Sequence, residues 1–122
     1  MFRRLRSLNV DTVTLFVVWM QDSKASNEVR PGSETVPTDR LIGAIRAARS
    51  AGLKVVLRPY IDLDDGSWRG MISPTAPDQW FASYRSFELH YAWLAQQEGV
   101  SGFVLGSEMV SMSGRAEPWR AL

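Results

Sequence analysis

The sequence predicts an α/β protein built from repeated β-α units of one parallel sheet. Three short apolar segments rich in β-branched and aromatic residues alternate with two amphipathic helical segments. Strands and helices that alternate in this way form parallel sheets with right-handed crossovers. The connections after the apolar segments are long and those after the helices are short. This asymmetry is typical of folds whose ligand site lies at the carboxyl ends of the strands.

The three apolar segments are the predicted strands. They comprise residues 13–19 (VTLFVVW), 55–61 (VVLRPYI) and 103–105 (FVL). The first segment is almost continuously apolar rather than alternating, which is typical of a strand covered on both faces in a parallel sheet. We therefore expect all three strands to lie side by side in one sheet.

Two segments between the strands have helical spacing, and residues 2–8 resemble the end of a further helix. In the first segment, Thr38 is predicted to cap the helix and Gly52 to end it. In the second segment, Thr75 and Asp78 have the spacing of a capping box. Pro77 suits a first turn and Gly99 an end. The buried face of the second helix is predicted from apolar residues at steps of four and three, namely Trp80, Tyr84, Phe87, Tyr91 and Leu94.

Two architectures are built from such units, an open doubly wound sheet and a closed eight-stranded TIM barrel. An open sheet that binds nucleotides usually carries a glycine-rich phosphate turn, and neither G-x-G-x-x-G nor G-x-x-x-x-G-K-[ST] occurs here. The barrel is therefore favoured. A complete barrel needs about 250 residues, so these 122 residues are expected to form about half of one.

The composition excludes several classes of function. There is no cysteine, which excludes disulfides, thiolate chemistry and cysteine-bound zinc. Fourteen Lys and Arg against 13 Asp and Glu are scattered along the chain, which disfavours partners such as nucleic acid or an anionic membrane surface. No apolar segment approaches the roughly 20 residues that span a bilayer, and no signal peptide is evident, so the cellular location stays undetermined. The lone His90 has no metal-binding partner, and we expect neither a metal nor a cofactor.

Glu108 is the candidate catalytic residue. It lies directly beyond the third predicted strand, after the small residues Gly106 and Ser107. A carboxyl group there is expected to be partly buried, and burial raises a carboxyl pKa so that the group can donate a proton to a leaving oxygen. The alternative is that Glu108 only stabilises the start of a helix through the helix dipole.

The loop after the second strand supplies candidate ligand-binding residues. Trp68 offers a flat apolar surface beside the forked donor of Arg69, and Asp62 offers paired acceptors. This combination matches a sugar, whose C–H face stacks on aromatic rings while its hydroxyls need polar partners. The alternative is a turn formed by the D-D-G at residues 64–66 and covered by the tryptophan.

Trp19 is a further candidate, at the end of the first strand. Together with Gln21 and Asp22 it is expected to face the same edge of the sheet or, alternatively, to pack locally.

These motifs together resemble glycoside hydrolase family 113, a family of TIM-barrel endo-β-mannanases of the retaining clan A. The resemblance extends from about Val13 to the C-terminus. It rests on residues 57–62 (LRPYID), 65–72 (DGSWRGMI), the aromatic helix, 106–108 (GSE) and 119–120 (WR). Tyr60 stands where the family often has His, and Ser107 stands where Thr or Asn is usual. These differences leave the exact substrate open.

The resemblance implies an α/β fold that is a partial (β/α)8 TIM barrel, roughly strands 2 to 4 with their helices. Residues 1–122 would then be the N-terminal-half fragment of a single TIM-barrel glycoside hydrolase domain. The resemblance also implies that Glu108 is the general acid/base and that the nucleophile, a glutamate on the seventh strand, lies outside this chain. The implied partners are an oligo- or polysaccharide substrate and the missing barrel half of the same polypeptide.

The implied activity is retaining, β-mannanase-like hydrolysis of the O-glycosidic bonds of a β-linked polysaccharide. Tyr60, Asp62, Trp68, Arg69 and Trp19 are the substrate-binding candidates. The isolated chain is expected to be inactive, and to be weakly stable or self-associating, because the edges of its sheet are unpaired.

Two alternatives stay open. A TIM-barrel-like domain of gene-transfer-agent and phage-tail proteins is similar in residues 68–70 and 106–108, which suggests a non-catalytic or cell-wall-directed domain. A purely structural β-α unit is the other alternative.

Overall fold

The computed structural model describes residues 1–122 and contains one parallel sheet of three strands. Strands β1 (Thr12–Gln21), β2 (Lys54–Leu63) and β3 (Gly102–Phe103) lie in the order β1-β2-β3. The helices are α1 (Phe2–Ser7), α2 (Thr38–Ser50), α3 (Pro77–Gln97) and α4 (Ala116–Arg120), with short 3-10 turns at Arg69–Met71 and Val110–Met112. The β-α units predicted from the sequence are therefore confirmed.

The strands differ from their predicted lengths. Strands β1 and β2 are longer and pair along their full length, from Thr12 opposite Lys54 to Gln21 opposite Leu63. Strand β3 pairs through only two residues, so the predicted strand over residues 103–105 is wrong at its end. The reason is that the chain turns out of the sheet after Val104, whose N–H makes the last bond to β2.

The two faces of the sheet have different surroundings. On one face, alternate side chains of β2, including Leu57 and Ile61, are buried against the helices. On the other face, Arg58 and Tyr60 are half-buried and Phe16 is 55% exposed. The prediction that the first strand is covered on both faces is therefore wrong for this chain, because its helices lie on one face only.

The start of α3 depends on a residue from a distant loop. Thr75 does not cap the helix as predicted; its Oγ1 instead accepts a hydrogen bond from the Asn27 side chain at 2.7 Å. The Oδ1 atom of Asn27 accepts the Ala76 N–H, also at 2.7 Å. Asn27 thus bonds to the residue that precedes α3 and to Thr75, and it ties the loop after β1 to α3.

The other predicted features of the helices are largely observed. Helix α3 begins at Pro77, and Gly52 and Gly99 adopt the positive φ angles that suit a helix end. Thr38 is the first residue of α2 rather than its cap. All five residues of the predicted aromatic and aliphatic face of α3 are buried. No helix has both the length and the apolar character needed to cross a membrane.

We predict that the chain self-associates through the open face of the sheet, because Phe16 is exposed there beside an unpaired edge of β1. Phe16→Ser is expected to shift the population toward monomer in sedimentation velocity runs. Trp93→Ser is the matched control, since Trp93 is 67% exposed but lies on α3. A monomeric, sharply melting wild-type chain would contradict this prediction.

Glu88 is an acidic residue buried inside α3. It is only 2% exposed, and neither of its carboxylate oxygens has a hydrogen-bond partner. Burial raises the pKa of Glu88 to about 7, and the nearby Tyr84 hydroxyl offsets only part of that effect. Because the folded chain holds this proton more tightly than the unfolded chain, Glu88 makes the fold less stable as the pH rises from about 4.5 to about 7.

We therefore predict that Glu88→Gln removes a pH-dependent loss of stability. Relative to the variant, the wild type should lose roughly 2–3 kcal/mol of unfolding free energy between about pH 5 and about pH 8. Urea denaturation at both pH values measures this difference. Glu34→Gln removes the same charge at an exposed position and should behave as the wild type. Parallel pH profiles for Glu88→Gln and the wild type would contradict the prediction.

Candidate active site

A cluster of charged side chains lies at the carboxyl ends of β2 and β3, with Arg69 at its centre. The Arg69 guanidinium bonds to Glu108, with Nη1 2.6 Å from Oε2, and to Asp62, with Nη2 3.4 Å from Oδ2. The Arg69 side chain is 18% exposed, whereas that of Glu108 is 49% exposed. Arg69 therefore connects two of the carboxylates that the sequence singled out.

The backbone and one aromatic ring of β2 fix Arg69 in this position. Its Nε donates a 2.8 Å hydrogen bond to the carbonyl oxygen of Ile61. Its guanidinium carbon lies 4.9 Å from the centre of the Tyr60 ring, within the range of cation–π attraction. Three of the candidate residues, Tyr60, Asp62 and Arg69, are thus held together with Glu108.

Glu108 lies between two pockets. A pocket of about 250 Å³ on the open face of the sheet is lined by Phe16, Arg58, Tyr60, Arg69, Ser107 and Glu108. A second pocket, of about 580 Å³, has Gly106, Ser107, Glu108 and Trp119 in its wall. Glu108 is therefore part of the wall of both pockets, and a molecule bound in either one would lie beside it.

The backbone of Glu108 is in an unusual conformation. Its φ angle is +60°, in the left-handed region that residues other than glycine seldom adopt. The nearest α-helix in the following chain, α4, begins only at Ala116. The alternative in which Glu108 starts a helix is therefore not supported. Its side chain is more open to solvent than expected of a residue directly after an apolar strand.

Trp68 precedes the cluster and presents one side of its ring to solvent. The side chain is 54% exposed. The ring lies over Gly70, because a Cβ atom built on that glycine would be only 2.4 Å from the Trp68 ring. Trp68 lines neither of the two pockets described above, so it stands at the rim of the cluster.

Trp19 does not join this cluster. Its Nε1 donates to the Tyr91 hydroxyl at 2.9 Å, and its ring centre lies 5.1 Å from that of Phe87 on α3. In the sheet it is paired with Ile61, a residue that faces the helices. Trp19 therefore packs locally, which was one of the two alternatives given by the sequence. The reason is that its position in β1 directs its side chain to the helix layer.

The neighbours of Trp19 also have structural partners. Gln21 is fully buried, and its Oε1 accepts a 2.8 Å hydrogen bond from the Trp80 ring nitrogen. Asp22 forms an ion pair with Arg30, which also bonds to Asp64 at 2.8 Å. These contacts organise the loop after β1 rather than the pockets.

Arg58 is a site residue that the sequence analysis did not single out. It donates a hydrogen bond to the Ser107 hydroxyl, and its guanidinium carbon lies 5.3 Å from the centre of the Phe16 ring. The sequence signal for Arg58 was the two-residue alternation of β2, because Arg58, Tyr60 and Asp62 share one face of that strand.

No group of three or more His, Cys, Asp or Glu side chains is placed to hold a metal ion.

Three solved structures are similar to this chain. Two are GH113 β-1,4-mannanases, one of them a complex structure, with 34% and 36% sequence identity and TM-scores of 0.91 and 0.90. The third is the GH113 β-mannanase AaManA from Alicyclobacillus acidocaldarius in complex with ManMIm, with 29% identity and a TM-score of 0.89. Each comparison covers 98% of this chain and 42% of the other chain. The predicted partial (β/α)8 TIM barrel is therefore confirmed.

The chain thus spans less than half the length of these structures. No curated protein matches it. The model of Glycoside Hydrolase Family 113 matches residues 1–122, which is the family indicated by the D-G-x-W-R-G and G-S-E motifs. This chain belongs to glycoside hydrolase family 113.

Proposed function

We propose that this chain carries the general acid/base of a retaining glycoside hydrolase that cleaves a β-linked polysaccharide of the mannan type. The observation that supports the role is the position of Glu108, whose carboxylate lies between two pockets at the carboxyl ends of the strands. Its Oε2 is held by Arg69, which leaves Oε1 for a ligand. The mannanase activity of the three similar structures supports the substrate class.

Retaining hydrolysis needs two carboxyl groups about 5–5.5 Å apart. The first group, the nucleophile, attacks the anomeric carbon. The second group, the general acid/base, protonates the leaving glycosidic oxygen and then removes a proton from the water that releases the sugar. We assign the second role to Glu108. The first role belongs, in this proposal, to a carboxylate outside residues 1–122.

We propose further that the remaining strands of the barrel, which lie outside these residues, cover the open face of the sheet. Two observations support this assembly. The similar structures are more than twice as long as this chain, which covers 42% of them, and the side chains of Phe16, Arg58 and Tyr60 that face the interior of a barrel are only partly buried here. In this proposal residues 1–122 are the N-terminal-half part of one domain.

The proposed substrate-binding residues are Tyr60, Asp62, Trp68 and Arg69. Arg69 and Asp62 supply donors and acceptors for sugar hydroxyls beside Glu108, and the open side of the Trp68 ring offers a stacking surface for a sugar. Trp19 is left out because it packs against α3. No comparison supports the alternative of a phage-tail or gene-transfer-agent domain.

We predict that Glu108→Gln in the complete barrel slows substrates with poor leaving groups by about 10²–10⁴-fold. Activated aryl glycosides should be spared in the glycosylation step, because their leaving groups need no proton. Pre-steady-state rates on manno-oligosaccharides and on an aryl mannoside measure the difference. Glu117→Gln, which removes an exposed acid paired with Arg120, is the control. Equal loss on both substrate types would contradict the role of Glu108, and an inactive wild type would contradict the proposed activity.

We predict that Gly70→Ala displaces the Trp68 ring, because the added methyl group would overlap it. Loss of a stacking surface should weaken binding of a manno-oligosaccharide to the complete barrel roughly three- to tenfold, as measured by calorimetry together with a change in tryptophan fluorescence. Gly114→Ala is the matched control, since a Cβ atom there meets nothing within 4 Å. Unchanged affinity in Gly70→Ala and in Trp68→Ala would remove Trp68 from the proposed binding site.

A further inference from the structure

The segment from Leu105 to Glu108 has few main-chain contacts. None of its four residues makes a backbone–backbone hydrogen bond, because the chain has left the sheet. Its one hydrogen bond to the main chain comes from α3, where the Tyr84 hydroxyl donates to the Leu105 carbonyl oxygen at 3.2 Å. The position of the catalytic carboxylate therefore depends on side chains, one of which approaches from the helix layer.

We propose that Tyr84 is a positioning residue, which holds the Leu105–Glu108 segment from the helix side and thereby places the Glu108 carboxylate. This inference rests on the proposed function for the role of Glu108. Tyr84 does not line the pockets beside Glu108, so it acts through the segment rather than on a ligand.

Tyr84 is a rigid support. It is fully buried, and its ring is stacked on Trp80 with the ring centres 4.8 Å apart and the planes 8° from parallel. The Trp119 ring packs edge-on to Tyr84, with the ring centres 5.6 Å apart. The segment lies close to these rings, since a Cβ atom at Gly106 would be 3.3 Å from the Trp119 ring and 3.6 Å from the Tyr84 hydroxyl.

A support of this kind is needed because of the conformation of Glu108. A residue with a φ angle of +60° is held in that region only when its surroundings fix it. Arg58 holds the Ser107 side chain and Arg69 holds the Glu108 side chain. Tyr84 supplies the contact with the main chain that neither arginine makes.

The test measures the mobility of the segment directly, by backbone carbonyl-carbon NMR relaxation of residues 105–108 in the complete barrel. The wild type should give order parameters near 0.85, and Tyr84→Phe should lower them to below about 0.6. Tyr91→Phe is the matched control, because it removes a buried hydroxyl from the same helix that bonds to Trp19 instead. Rigid residues 105–108 in Tyr84→Phe, or equal loosening in Tyr91→Phe, would overturn the inference.

The effect on catalysis gives a second readout. In the complete barrel, Tyr84→Phe should lower kcat roughly ten- to a hundredfold at unchanged KM. Since the NMR measurement needs no catalysis, it separates failure of this inference from failure of the proposed function.

Discussion

The ion pair between Arg69 and Glu108 is the contact on which the geometry of the site depends. The Arg69 guanidinium is anchored to β2 through the Ile61 carbonyl and the Tyr60 ring, and from there it reaches the end of β3. A guanidinium with donors in a fixed plane can serve several acceptors at once, which a lysine cannot do with the same geometry. Because Asp62 and Glu108 share the positive charge of Arg69, the electrostatic repulsion between their carboxylates is reduced.

The helix layer supports this contact from the other side. Helix α3 fills the space beneath the sheet with its aromatic face, and Asn27 holds the residue that precedes that helix. The register of α3 in turn places the Tyr84 hydroxyl under Leu105. An error in the start of the helix would therefore be transmitted to the segment that carries Glu108, although the two lie far apart in sequence.

Much of the fold could be predicted from the sequence because local chemistry determines it. The face of α3 follows from residue spacing, and the ends of α2 and α3 follow from Gly52 and Gly99. The side chain that bonds to the start of α3 could not be predicted, because Asn27 lies in a distant loop. The direction of Trp19 was equally hidden, since a continuously apolar strand such as β1 does not reveal which of its faces meets the helices.

The candidate site was predicted only in part for a related reason. Motifs along one loop singled out Asp62, Trp68 and Arg69 as candidates, and the end of the third strand singled out Glu108. The contribution of Arg58 depends on strand alternation, and that of Tyr84 depends on a contact between elements, so neither forms a local motif.

Glu88 links the stability of the helix layer to the site. A buried carboxyl group whose oxygens have no hydrogen-bond partner weakens the fold above its pKa, and an apolar residue at the same place would avoid that cost. Glu88 is the one acidic residue buried in the chain, and it lies one helical turn after Tyr84, the residue that bonds to the main chain beside Glu108. Ionisation of Glu88 therefore weakens the same helix that supports the site, so the stability of that support decreases as the pH rises.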